Sequence, residues 1–152
     1  RYHNVYGPNG TYDGGREKAP AALCRKVILA NQKNSDIIDV WGDGKQTRSF
    51  LFIEDCVDAT LQFFNSTHHG PINIGSEEKV SINEMIEKIE KIISKKFKKN
   101  YQLDKPKGVR GRSSNNDLIR KLLKWEPKYN LSEGLKKTYQ WIEEDIKKKH
   151  NQ

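Results

Sequence analysis

The amino-acid sequence predicts an α/β domain. Short runs rich in β-branched and aromatic residues alternate with longer segments in which apolar residues recur at helical spacing, an order typical of α/β folds. The 152 residues suffice for one ordinary domain or for part of a larger one. Three Trp, six Tyr and five Phe supply large apolar groups to bury, which excludes an intrinsically disordered chain.

The N-terminal part predicts a loop followed by a helix. Residues 1–16 are rich in Gly, Asn, Pro and Tyr, which is typical of a loop. A helix is predicted over residues 17–32, because Pro20 is tolerated near a helix start. The apolar residues at helical spacing in this segment are Ala19, Leu23, Val27 and Ala30.

The middle of the chain predicts strands on both sides of a helix. Two β-like runs, at residues 37–41 and 49–53, flank the glycine-rich turn 42–44. Residues 54–64 predict a helix, and residues 71–74 predict a short buried strand. The predicted helix carries on one side the apolar residues Val57, Leu61 and Phe64.

The second half predicts three helices and one strand. Residues 82–97 form the clearest helix pattern, because Ser81 and Glu84 match a capping box ahead of a continuous apolar stripe. A strand is predicted around residues 101–103, and a short helix from Leu118 towards Trp125. The last helix follows Ser132, and its predicted inward residues are Leu135, Tyr139, Ile142 and Ile146.

The net charge of +8 is confined to one half of the chain. Residues 1–76 hold 8 basic and 8 acidic residues, whereas residues 77–152 hold 20 and 12. A basic protein suggests a polyanion partner. On the predicted helices, however, acidic residues are interleaved with Lys, a pattern that is usual for a solvated helix face. We therefore expect no nucleic-acid partner.

Several other site classes are not predicted. No apolar run approaches the roughly eighteen residues of a membrane span, and no secretion signal is visible. Cys24 and Cys56 have neither metal-ligand nor disulfide-framework spacing, and His68-His69 lacks a third ligand. We expect no metal site, no membrane partner and a reduced cytoplasmic location.

Three polar clusters have no evident structural role. They are RYHNVYGP at residues 1–8, GGREKAP at 14–20 and GDGKQTRSF at 42–50, with a later basic stretch, GVRGR, at 108–112. The arginine guanidinium donates two parallel hydrogen bonds to phosphate oxygens. Two arginine sites that are remote in sequence can therefore converge on one diphosphate.

These stretches resemble the C-terminal half of extended short-chain dehydrogenases/reductases that act on nucleotide sugars, and among them the GDP-mannose 3,5-epimerases. RxxNxYGP, NIGS and GDGxQxR are widespread in sugar-nucleotide epimerases and dehydratases, whereas GGREKAPAA with a nearby CRK is more specific. The resemblance covers essentially the whole chain. It implies an α/β, Rossmann-type enzyme, of which residues 1–152 are mainly the small substrate-binding domain.

The missing parts agree with this interpretation. The chain begins at Arg1 rather than Met, and it contains neither the glycine-rich cofactor loop nor the Tyr-x-x-x-Lys pair of the family. We therefore expect the NAD-binding portion to lie outside residues 1–152 and this chain alone to be inactive. The resemblance implies a homodimeric parent enzyme.

The resemblance implies a reaction and a catalytic lysine. Bound NAD takes a hydride from C4 of the sugar of GDP-mannose, and the resulting ketone acidifies the protons on C3 and C5. A base removes a proton from one face and an acid returns one on the other face, after which the reduced cofactor gives the hydride back to C4. Lys18 matches the family lysine of this pair, and the family cysteine lies upstream of Arg1. A lysine that transfers protons needs a pKa near neutrality, which Arg16 favours and Glu17 opposes. The simpler alternative for Lys18 is a surface lysine that opens a helix.

The resemblance also implies the ligand contacts. Tyr2 corresponds to a residue beside the nicotinamide of NAD. The implied contacts to the nucleotide-diphosphate sugar are Asn4, Glu17, Lys26, Gln46, Thr47, Arg48 and Arg112. Two alternatives remain: another NAD-dependent nucleotide-sugar epimerase or 4,6-dehydratase, and, in a different class, a basic nucleic-acid-binding module.

Overall fold

The computed structural model describes residues 1–105 and 108–150. Its helices are α1 (Ala19–Gln32), α2 (Ile53–Phe64), α3 (Ile82–Ile93), α4 (Asp117–Leu123) and α5 (Leu131–His150). Its strands are β1 (Val5–Tyr6), β2 (Ile37–Trp41), β3 (Thr47–Arg48), β4 (Leu51–Phe52), β5 (Val80–Ser81), β6 (Lys98–Gln102) and β7 (Gly111–Arg112). The predicted α/β class is confirmed.

The strands form three small sheets within the described residues. β1 pairs with β4 and β2 pairs with β6, both in parallel. The third sheet has the order β5-β3-β7, with β3 antiparallel to β5 and parallel to β7. Parallel strands require a crossover, and α1 lies between β1 and β4 along the chain. This arrangement places β3 at the centre of its sheet, where it joins distant segments.

The larger apolar core lies where α1, α3 and α5 pack together. Each helix has one apolar face, and burial of that face drives the packing. The buried residues include Leu23, Val27 and Ile28 of α1, Met85, Ile86 and Ile89 of α3, and Leu135, Tyr139, Ile142 and Ile146 of α5. The four inward residues predicted for the last helix are confirmed. A smaller cluster contains Leu51, Cys56, Ala59, Ile72, Ile74, Ile119 and Trp125.

Helix α3 begins as predicted but ends four residues earlier than expected. The capping box is present, because Ser81 Oγ accepts a hydrogen bond from Glu84 N at 3.1 Å and Glu84 Oε2 accepts one from Ser81 N at 2.7 Å. Ser94 is left-handed, with φ of 54°, and this conformation ends the helix. Phe97 is still buried, but just before β6, and its N–H donates to Glu90 Oε1.

Helix α2 has the predicted bounds within one residue, but its predicted apolar side faces outward. Val57, Leu61 and Phe64 are exposed, whereas the buried positions are Asp55, Cys56 and Ala59. Tyr2 is also exposed, and its hydroxyl lies 3.3 Å from Oγ1 of Thr60, a residue of α2.

Among the described helices, none combines the length and the apolarity that crossing a membrane would require.

Candidate functional site

A cleft of about 410 Å³ gathers polar side chains from separate parts of the chain. Its lining includes the start of α1, the end of β2 and the segment around β3. Six residues predicted as catalytic or substrate-binding line it: Asn4, Glu17, Lys18, Lys26, Gln46 and Arg48. The fold therefore assembles most of the predicted site in one place.

Lys18 lies at the N-cap position of α1. Its backbone is extended, with φ of −78° and ψ of 155°, and its carbonyl accepts a hydrogen bond from Ala22 N. The side chain is exposed, and among the described residues its ammonium has no hydrogen-bond or ion-pair partner. The N-terminal end of a helix is electropositive. The lysine and the helix end together favour an anionic ligand in the cleft.

Lys26 lies two turns further along α1 and is half-buried in the same cleft. Its Nζ donates a hydrogen bond to the carbonyl oxygen of Asp39 at 3.0 Å and lies 5.6 Å from the centre of the Trp41 ring. Burial lowers the pKa of Lys26, and the positive charge of Arg25 lowers it further, whereas Asp39 and Glu17 act in the opposite direction. The cleft thus holds a second cation that is partly shielded from water.

Gln46 and Arg48 flank Thr47 and line the cleft. Gln46 Nε2 donates to the Trp41 carbonyl at 3.2 Å, but Gln46 Oε1 is buried and has no hydrogen-bond partner among the described residues. A buried acceptor without a partner is costly, so this oxygen suits a ligand N–H or O–H group. Side chains alternate along a strand. Thr47 accordingly does not line the cleft, and its Oγ1 lies over Gly111 of β7, where an added Cβ would be 3.1 Å away.

Arg48 and Arg112 are neighbours across the β3-β7 pair. The parallel register places Arg48 opposite Arg112, and residues in register project from the same face of a sheet. Arg48 Nη1 donates to the Thr47 carbonyl at 2.7 Å, while Arg112 is exposed. The register thus places two arginines that are remote in sequence side by side on neighbouring strands, although only Arg48 lines the cleft.

Of the two predicted site residues that precede β1, Asn4 lies in the cleft and Tyr2 lies outside it. Asn4 lines the cleft in a left-handed conformation, with φ of 45°, and its Nδ2 donates to the Ser49 carbonyl at 3.0 Å. This hydrogen bond leaves the Asn4 amide oxygen available to a ligand donor. Tyr2 lies outside the cleft lining, where it forms a bridge with Ile74.

The sequence did not indicate several residues that complete the cleft. Trp41, Phe50 and Ile82 supply apolar walls, and Arg25 also lines the cleft. Trp41 is 53% exposed although it belongs to a strand. The exposure of Trp41 could have been predicted from the two-residue period of a strand, because neighbouring side chains point to opposite faces and Trp41 shares the exposed face with Ile37 and Asp39.

Among the described residues, no group of three or more His, Cys, Asp or Glu could hold a metal ion.

The comparisons with curated proteins agree with the resemblance. The chain matches the family described as GDP-mannose 4,6 dehydratase over residues 1–138. It is 51% identical over 148 residues to the GDP-mannose 3,5-epimerase of Arabidopsis thaliana, and the alignment covers 97% of this chain and 38% of that protein. It is 33% identical to the UDP-glucuronate 4-epimerase of Thermodesulfobacterium geofontis, over 96% of this chain and 43% of that protein. The chain therefore spans less than half the length of these relatives.

Solved structures share the fold. The UDP-glucose 4-epimerase of Thermotoga maritima, solved with UDP-glucose, superposes with a TM-score of 0.83 at 26% identity, over 96% of this chain and 45% of that chain. The UDP-glucuronic acid 4-epimerase of Bacillus cereus, in complex with UDP-glucuronic acid and NAD, gives a TM-score of 0.78 at 29% identity, over 95% and 44%. The chain belongs to the GDP-mannose 4,6 dehydratase family and has the fold of the C-terminal part of an extended short-chain dehydrogenase/reductase.

Proposed function

We propose that this chain is the substrate-binding portion of an NAD-dependent epimerase that inverts C3 and C5 of the mannose unit of GDP-mannose through a transient C4-keto intermediate. Lys18 is the acid/base residue of this chain. In this proposal the NAD-binding portion of the enzyme lies outside residues 1–152, and the whole enzyme is a cytoplasmic homodimer. GDP-mannose is chosen because the curated relatives named GDP-mannose 3,5-epimerase share about half of the residues of this chain.

The convergence of six predicted residues in one cleft is the observation that carries the proposal. These residues come from the loop before β1, the segment that runs from Glu17 to the middle of α1, and the segment around β3, which are separated by many residues in sequence. A surface lysine that only opened a helix would need no such surroundings. The alternative in which Lys18 has only a structural role is therefore disfavoured.

The side chains suit the parts of a nucleotide-diphosphate sugar. Arg48 and Arg112 lie in register and would hold the diphosphate by charge-assisted hydrogen bonds. The unpaired oxygen of Gln46 would accept a hydrogen bond from a ligand N–H or O–H group. Lys26 would add positive charge at the apolar wall formed by Trp41.

Lys18 would handle the proton step. Its ammonium has no partner among the described residues, which leaves it available to a ligand. In this proposal Lys18 is one member of an acid/base pair and transfers the proton on one face of the sugar. NAD, when bound, would accept the hydride of C4, so that the transient ketone acidifies the protons on C3 and C5, and would return the hydride to C4 afterwards. Tyr2 suits a contact with the nicotinamide because its ring is exposed.

The test is Lys18→Ala in the full-length protein that contains this chain. General acid/base groups contribute about 10²–10⁴-fold to a rate. We therefore expect the rate of deuterium incorporation from solvent into C3 and C5 at saturating GDP-mannose to fall by about that factor. Lys45→Ala is the matched control, because this exposed lysine does not line the cleft. Unchanged deuterium incorporation in Lys18→Ala would exclude the acid/base role.

The nature of the nucleotide sugar is tested separately. Relatives of 30–33% identity include a UDP-glucuronate 4-epimerase and GDP-L-fucose synthases. Another nucleotide-sugar epimerase or a 4,6-dehydratase thus remains the second candidate. Deuterium incorporation from solvent, measured with a panel of GDP-, UDP- and dTDP-sugars, distinguishes the two candidate functions. Preference for any sugar other than GDP-mannose would reject the substrate proposed here.

The contacts of the basic half disfavour a nucleic-acid-binding role. Several of its lysines form ion pairs with carboxylates, namely Lys88 with Glu78, Lys95 with Asp36, Lys99 with Glu87, Lys128 with Asp58, Lys137 with Glu54, Lys147 with Glu143 and Lys149 with Asp145. Cations paired in this way offer less charge to a phosphate backbone. A salt-dependent gel shift of a nucleic acid by the protein at physiological ionic strength would support the nucleic-acid-binding alternative.

A further inference from the structure

The loop that leads to Lys18 is anchored at its N-terminal end. Tyr12 is buried, and its hydroxyl donates to Asp145 Oδ2 of α5 at 2.6 Å and accepts a hydrogen bond from Lys149 Nζ at 2.8 Å. Its ring packs edge-on against Trp141, with the ring centres 5.7 Å apart. The loop is therefore anchored to α5 at Tyr12 and joins α1 directly after Lys18.

The segment between these two anchors has little intrinsic rigidity. Gly14 and Gly15 have φ values of 91° and 84°, a region that favours glycine, and a Cβ on either would meet no atom within 4 Å. Two carboxylates bind their amides: Asp13 Oδ1 accepts from Gly14 N at 2.8 Å, and Glu17 Oε2 accepts from Gly15 N at 2.7 Å. The path of the chain into Lys18 thus depends on where these carboxylates are fixed.

Arg25 holds both carboxylates from the side of α1. Its Nη1 lies 3.2 Å from Asp13 Oδ1 and its Nη2 lies 3.9 Å from Glu17 Oε1. Its Nε is buried without a hydrogen-bond partner among the described residues, so the described polar contacts of Arg25 are all made by Nη1 and Nη2. A planar guanidinium can bridge two carboxylates in a fixed geometry, which a lysine ammonium on a flexible stem does less well.

We propose that Arg25 is a positioning residue that clamps the loop of residues 13–17 and thereby fixes the direction in which Lys18 enters the cleft. Arg25 lines the same cleft, but its guanidinium is engaged by Asp13 and Glu17. The catalytic part of this inference rests on the acid/base role proposed for Lys18. The clamp itself does not depend on that role and can be measured without any reaction.

Amide hydrogen exchange of the chain of residues 1–152 tests the clamp. Arg25→Ala removes two ion pairs that are individually weak. The exchange rates of the Gly14 and Gly15 amides should therefore rise about fivefold. Asp13→Asn, which removes one ion pair without altering α1, should raise them less. Lys33→Ala at the end of α1 is the control and should leave the loop unchanged. Equal loop exchange in Arg25→Ala and the unmodified chain would overturn the clamp.

Kinetics of the full-length protein test the positioning role. Arg25→Ala should lower the rate of deuterium incorporation into the sugar at saturating substrate by about tenfold or more, with a smaller change in KM, because a displaced catalytic group mainly impairs the chemical step. Arg25→Lys should restore part of the rate. An unchanged saturating rate in Arg25→Ala, with the loop opened, would overturn the positioning role. Failure of the proposed function gives a different result, because the unmodified protein would then incorporate no deuterium into the sugar. Amide hydrogen exchange would still show whether Arg25 holds the loop of residues 13–17.

Discussion

The two ends of α2 carry the same side chain in opposite surroundings. Phe52, directly before the helix, is 2% exposed and packs against Tyr6 and Tyr129, with ring centres 5.7 and 4.9 Å away. Phe64, the last residue of the helix, is 83% exposed. Residue type is the same at both positions. The difference is set by what the fold places beside each ring.

This contrast extends to the two sides of the molecule. The side with the cleft is closed, because α1, α3 and α5 cover one another and bury the larger apolar core. The other side is open, because the fully buried residues of α2 are only Asp55, Cys56 and Ala59. An apolar outer face, formed by Val57, Leu61 and Phe64 of α2 together with Tyr2, is left exposed. We therefore expect substitutions on the closed side to reduce stability far more than substitutions on the outer face of α2.

The largest effect is expected for Phe52→Ala. Removing a buried phenylalanine costs about 3–5 kcal/mol, through lost transfer free energy and the cavity that remains. The loss should appear as a lower urea midpoint for unfolding of residues 1–152, followed by circular dichroism. A change below about 1 kcal/mol would show that the core around Phe52 collapses to fill the space, and would remove the basis of the comparison.

A smaller, pH-dependent effect is expected for Glu77→Gln beside the smaller apolar cluster. Glu77 accepts hydrogen bonds from the backbone N–H of Asn116 at 2.9 Å and from Arg120 at 2.9 Å, and thereby fixes the start of α4. These hydrogen bonds, the backbone one first, hold the pKa of Glu77 below its ordinary value of 4.5. The ionised carboxylate therefore stabilises the fold above about pH 4.5. This contribution is lost as the pH falls through the lowered pKa.

The measurement is the free energy of unfolding as a function of pH. The stability difference between the unmodified chain and Glu77→Gln should be constant near neutral pH and should shrink as the pH falls below 4.5. Glu144→Gln is the matched control, because this exposed glutamate has no hydrogen-bond or ion-pair partner among the described residues. A difference that grew at acid pH would contradict the stabilising role of Glu77.

The local features of the fold could be predicted from the sequence, whereas its long-range arrangement could not. Helical spacing and the capping box located α1, α3 and α5, because these signals depend on neighbouring residues. Spacing also grouped Val57, Leu61 and Phe64 on one side of α2, but nothing in it shows whether another element covers that side. The left-handed Ser94 that ends α3 is set by the chain's turn towards β6, which spacing does not encode.

The candidate site shows the same division. The resemblance supplied Lys18, Lys26, Gln46 and Arg48, and the fold brings them to one cleft. It did not supply Arg25 as a clamp, because the two ion pairs of Arg25 depend on how the loop folds back against α1. Nor did it indicate Trp41, whose place in the wall follows from the alternation along β2. The roles of Lys26, Gln46 and Arg48 in ligand binding stay predictions.

The smallest effect is expected for Phe64→Ala, which makes the same substitution at the other end of α2. Because Phe64 is exposed, little apolar area is lost from the folded state, and surface substitutions usually change stability by no more than about 0.5 kcal/mol. Urea unfolding under the conditions used for Phe52→Ala gives the direct comparison. A loss of more than about 2 kcal/mol would mean that Phe64 is buried in solution, for example by association of the outer faces of α2. Dilution of the protein would then lower the unfolding midpoint of the unmodified chain but not that of Phe64→Ala.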